Sequence, residues 1–110
     1  MSWFSQRFGV ILVALLAGIA SATAQQSAPS WGETKCARYA AAWSDAAERF
    51  GSNGLGPEFL ERHERFLASG CTTSPDVCPR SPEELEMANA LIVAAMNAGA
   101  ASTFPPFACK

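Results

Sequence analysis

The segment at 81–100, SPEELEMANALIVAAMNAGA, constrains this chain more than any other. It opens with Ser81, Pro82 and Glu84. A serine hydroxyl there can accept from the third amide of a helix, proline suits the first helical position, and a glutamate at the third can return the bond. It closes on a glycine-containing stop. Between the two signals, Leu85, Ala88, Leu91, Ile92, Ala95, Met96 and Gly99 recur at helical steps and predict one apolar face. Ala90, Ala94 and Ala98 form a second ridge of small residues at steps of four. Only Glu86, Asn89 and Asn97 make a polar strip, which Val93 interrupts. Such a helix has to be wrapped by other elements.

The segment at 1–24 is read as a secretory signal peptide. Arg7 supplies a positive start, 8–20 is an unbroken apolar run, and Ala22-Thr23-Ala24 is a small-x-small site with cleavage expected after Ala24. The run is shorter than the roughly 20 residues that cross a bilayer as a helix, so no stable membrane insertion is expected after cleavage. No Cys follows Ala24, and Arg7 is not half of an Arg-Arg pair, so the expectation is Sec-type export to the periplasm or beyond. Residues 25–30 then form a flexible tail, and 31–110 a single domain. Of the eight Lys and Arg, only Arg7 falls in the leader, while all ten Asp and Glu lie after it. The exported part is therefore mildly acidic, which argues against nucleic acid as a partner.

Two more helices precede the central one. Ser30-Trp31-Gly32-Glu33 has the form of a capping box. Cys36, Tyr39, Ala40, Trp43, Ala46, Ala47 and Phe50 follow at steps of three and four. GSNGLG at 51–56 ends that helix. A phosphate-binding loop would follow a strand, whereas this one follows a helix and leads into Pro57. The next helix runs from Pro57 to about Ser69, with Phe59, Leu60, His63, Phe66 and Leu67 as its inner stripe. Glu58 with Arg62, and Glu61 with Arg65, stand at favourable spacing on its surface. No strand pattern appears after the leader. The predicted architecture is all-α: a small antiparallel three-helix bundle, bridged by disulfides.

Cys36, Cys71, Cys78 and Cys109 are even in number and all lie in the exported part. In an oxidising compartment they read as two disulfides. Their spacing lacks the close pairs of a zinc site, and no C-x-x-C or C-x-x-C-H motif is present, so no metal or cofactor is expected. If every sequence-adjacent pair of helices is antiparallel, Cys36, Cys71 and Cys78 collect at one end. A third helix of about 28 Å could be retraced by a tail reaching about 30 Å, which returns Cys109 to them. Cys36–Cys109 with Cys71–Cys78 is the preferred pairing on this reading, and Cys36–Cys71 with Cys78–Cys109 the next.

No catalytic constellation emerges. His63, the sole histidine, sits between Phe59 and Phe66 on an apolar stripe, with no carboxylate or nucleophile one helical turn away. It is a candidate for acid–base work or for sensing pH, against the plainer reading of a packed histidine. Glu83, Glu84 and Glu86 are read as compensating the dipole at a helix start. Tyr39 and Trp43 are assigned to the core. Trp31 and the Phe104-Pro105-Pro106-Phe107 run are the candidate partner surface. The expected function is non-enzymatic: an exported module that binds another exported protein or a small ligand. The alternatives are a small envelope enzyme built on His63, and a self-associating envelope protein packing through the alanine ridge.

Overall fold

The computed structural model describes residues 28–110. The expected leader and the first half of the expected flexible tail, 25–27, lie outside the described residues. The domain is an all-α, disulfide-bridged three-helix bundle of α1 (Trp31–Phe50), α2 (Pro57–Ala68) and α3 (Pro82–Asn97).

Each helix begins and ends for a local reason. The Ser30 hydroxyl accepts from the Glu33 amide at 3.1 Å to start α1, and Gly51 ends it at φ 75°. Pro57 occupies the first turn of α2, but its N-cap, Gly56, has no side chain to cap with. At α3 both halves of the capping box form: the Ser81 hydroxyl accepts from the Glu84 amide, and the Glu84 carboxylate accepts from the Ser81 amide.

The helices do not all alternate in direction. The start of α1 lies beside the end of α3, where the Arg38 guanidinium donates to the Ala98 carbonyl at 2.9 Å. The start of α2 lies beside the start of α3, where the Ser81 hydroxyl donates to the Gly54 carbonyl at 2.6 Å. So α1 is antiparallel to both partners, while α2 and α3 point the same way. The segment between them must travel back along the bundle. A 12-residue α2 is about 18 Å long, and ten extended residues reach over about 30 Å, so 71–80 makes the crossing easily.

This crossing overturns the preferred cysteine pairing. Cys71 stays at the start of α1 and Cys78 is carried to the opposite end, so the two cannot join. The bridges are Cys36–Cys71 and Cys78–Cys109, with Cα separations of 5.6 and 4.6 Å. The tail after α3 makes the same journey beside the crossing segment. Val77 donates its N–H to the Pro106 carbonyl and Ala108 donates to the Val77 carbonyl, both at 3.0 Å. This isolated parallel bridge is the sheet-like element among the described residues.

Packing follows side-chain size. Small residues let α1 and α3 approach closely, with Ala42 and Ala46 facing Ala90, Leu91 and Ala94. The larger Phe59, His63 and Phe66 project from α2 into the same core, which also takes in Tyr39, Val77, Met87, Leu91 and Ala95. The inner face of α3 is rotated from the predicted one. Glu84, Met87, Ala88, Leu91 and Ala95 are buried, whereas Leu85 and Met96 are about half exposed, at 49% and 48%. The alanine ridge is half-buried against α1 rather than free.

Candidate functional site

The inner stripe of α2 places His63 at the centre of the domain, 0% exposed. Rings enclose it. Trp43 of α1 packs on the imidazole with centroids 4.1 Å apart, and Tyr39 approaches at 5.5 Å. Phe59 and Phe107 stack nearly parallel to it at 6.3 and 6.0 Å. One polar partner is present: the Tyr39 hydroxyl, 2.7 Å from Nε2. The other ring nitrogen, Nδ1, is buried without a hydrogen bond. Burial lowers the His63 pKa from the ordinary 6.5 to about 4, and it pushes the Tyr39 phenol above its usual value. The imidazole is thus enclosed by rings, with no carboxylate among its contacts in the described residues.

A sizeable concavity lies elsewhere, where the starts of α2 and α3 meet the segment around Ala108 and Lys110. It is a cleft of about 480 Å³ whose walls include Phe59, Arg62, Asp76, Arg80, Glu84 and Lys110. The carboxylates in it are already engaged. Glu84 is 6% exposed. Its Oε1 accepts from the Arg80 and Ser81 amides at 2.8 and 3.2 Å, and its Oε2 from the Gly56 amide at 2.8 Å. Desolvation pushes its pKa up, but the three amides and the nearby Arg80 charge outweigh that and hold it below the usual value. Asp76 and Glu58 both flank Arg62, at 4.0 and 2.9 Å, and Arg62 also donates to the Asp76 carbonyl at 3.1 Å. Arg80 and Lys110 form no ion pair among the described residues. The cleft therefore offers two cations to a ligand, while Glu84 fills the electropositive helix starts from within.

The expected partner surface is only partly at the surface. Trp31 is 51% exposed, lying under the Arg38 guanidinium and against Gly99. Pro105 and Pro106 are buried, however, and Phe104 and Phe107 are half-buried against the core. Phe104 sets its edge to Tyr39 and Phe66, and Phe107 stacks on Phe59. The tail is a wall of the core because the Cys78–Cys109 bridge and the Val77 amide and carbonyl hold it down. Of the expected surface, Trp31 is the residue left largely open to solvent.

Arg80, Lys110 and the interior role of Glu84 are not apparent from the sequence motifs. The available signal was the second cysteine pairing, since a Cys78–Cys109 bridge necessarily brings Lys110 close to Arg80. Among the described residues no group of His, Cys, Asp and Glu is placed to hold a metal ion, and no helix is long and apolar enough to cross a membrane. No protein-family model, curated protein or solved structure matches the chain.

Proposed function

We propose that this is an exported, periplasmic or secreted, non-enzymatic binding protein whose ligand site is the cleft between the starts of α2 and α3. The observation that carries this reading is the pair of cations, Arg80 and Lys110, on the wall of this cleft without ion-pair partners among the described residues. Their chemistry favours a small ligand bearing a carboxylate or phosphate, including the acidic end of a short peptide. The two bridges fit an oxidising compartment, and the signal-peptide reading of 1–24 agrees with export. The burial of His63 weighs against an enzyme built on that residue. The test is a titration of isotope-labelled protein with citrate, inorganic phosphate and acetylated dipeptides, followed by amide shifts. Shifts centred on Phe59, Arg80 and Lys110, lost in the Arg80→Gln, Lys110→Gln double variant, are expected. No shift at millimolar probe, or shifts confined to another face, would sink the reading.

A second reading is supported by Leu85, Val93 and Met96, which are about half exposed and share one side of α3 with Ile92. Self-association would use this outer face, not the alanine ridge, which α1 partly covers. Sedimentation of the wild type and of Leu85→Lys at rising concentration separates the two readings, since only self-association responds to that substitution.

A further inference from the structure

The enclosure of His63 is unequal on its sides. Tyr39 and Trp43 come from α1, and Phe59 from α2. Those two helices are locked together by the Cys36–Cys71 bridge. The remaining wall, Phe107, belongs to a segment with no helix of its own, held alongside 71–80 by the two backbone hydrogen bonds of Val77. Beyond Phe107 the chain is tethered at Cys109 to Cys78. Segments with few backbone bonds open at lower free energy than packed helices. A tail tied at both ends can lift and return without losing its register.

We propose that His63 is an acid-operated latch on the C-terminal tail: protonation of its imidazole drives Phe107 and the adjoining 104–108 segment off the core while the helices stay packed. A charged imidazolium carries N–H donors on both nitrogens. Nε2 can give its proton to the Tyr39 oxygen, but Nδ1 faces no acceptor. Among the described residues the charge has no counter-ion either, and Tyr39 is the only other titratable side chain in contact with the imidazole through a ring or hydrogen bond. Trp43 from α1, Phe59 on α2 and Phe107 from the tail are the other rings against it, and none can bear a charge. Val77 from the crossing segment and Met87 and Leu91 from α3 complete an apolar core. Of the charged groups on α2 and the crossing segment, Glu58, Arg62 and Asp76 pair with one another, Glu61 pairs with Arg65, and Glu64 is exposed. Admitting water is the remaining way to solvate the imidazolium, and Phe107 is the wall that can move to admit it. Lifting it would bare Phe59 and Val77 as an apolar strip in acid.

The test follows amide hydrogen-exchange protection in the oxidised protein between pH 7 and 4, corrected for intrinsic rates, together with the His63 ring resonances. The Val77 and Ala108 amides should lose about tenfold in protection for each pH unit below the ordinary histidine pKa. The α3 amides of Leu91 and Ala95 should keep theirs. His63→Phe, which keeps a ring in the box, should flatten the loss at Val77 and Ala108. The latch is overturned if those two amides stay protected down to pH 4, or if they and the α3 amides lose protection together. It is equally overturned if a folded His63→Phe shows the same loss, or if the His63 ring titrates near 6.5. Should His63→Phe not fold, the contrast between tail and α3 amides in the wild type decides alone.

Discussion

The Glu84 carboxylate accepts the Gly56 amide at 2.8 Å across 28 positions of sequence. One side chain thus caps two helices: its own start through Ser81, and that of α2, whose N-cap Gly56 has nothing to offer. Glu84→Gln would turn an amide N–H₂ toward at least one of the three backbone N–H donors. The expected cost is about 1–3 kcal/mol, read as a lower urea midpoint with unchanged slope. The folded-state pKa of Glu84 is depressed, so its contribution is present above the unfolded value. It is lost as pH falls through the folded value. The stability gap between wild type and Glu84→Gln should therefore narrow in acid.

Tyr39→Phe tests the one polar contact of His63. Removing the hydroxyl leaves both imidazole nitrogens without a partner in a ring that is 0% exposed. A loss of about 1–3 kcal/mol at pH 7 is expected. Acid sensitivity should survive the substitution, because burial rather than the hydroxyl lowers the His63 pKa. The unfolded state binds a proton near 6.5 and the folded state near 4. Stability from this group is complete above 6.5 and drains away as pH falls toward 4, by about 3 kcal/mol at most. Urea denaturation at pH 7 and pH 5 measures both effects.

The bridge pairing has a direct chemical signature. No Lys or Arg lies between Cys71 and Cys78, so trypsin leaves both in the fragment 66–80. With the bridges observed, unreduced digestion should yield one species joining the Cys36 fragment, 66–80 and the Cys109 fragment. Release of 66–80 as a separate, internally bridged peptide would contradict the fold. The bridges close loops of similar length, with separations of 35 and 31. Each should be worth about 2–4 kcal/mol, so reduction should lower the melting temperature markedly.

Much of the fold was legible wherever the signal is local. Ser30, Pro57 and Ser81 mark the helix starts because capping is decided within one turn of chain. The inner stripe of α2 stood out because charged residues fill its other faces. The direction of α3 was not legible, because 71–80 can either turn tightly or cross the bundle, and composition is the same in both cases. That ambiguity misassigned the bridges and hid the cleft between Arg80 and Lys110. The capping role of Glu84 was legible but its burial was not, for a related reason: a capping glutamate ordinarily faces water, and only the arrival of Gly56 beside it makes it interior.

The rotation of α3 gives the last prediction. Its sequence is apolar nearly all round, so periodicity has little contrast and two faces a fraction of a turn apart score alike. Packing breaks the tie. The shallow side chains of α1 require the neighbouring backbone to come close, which turns Ala88, Leu91 and Ala95 inward with Met87. Leu85 is left at 49% exposure and Leu91 at 0%. Leu91→Ala should cost about 2–5 kcal/mol by leaving a cavity among fixed neighbours, whereas Leu85→Ala should stay within about 1 kcal/mol of wild type. Paired urea titrations of the two variants read the difference. Equal costs would mean that the face predicted from periodicity, which holds both Leu85 and Leu91, is the one that packs.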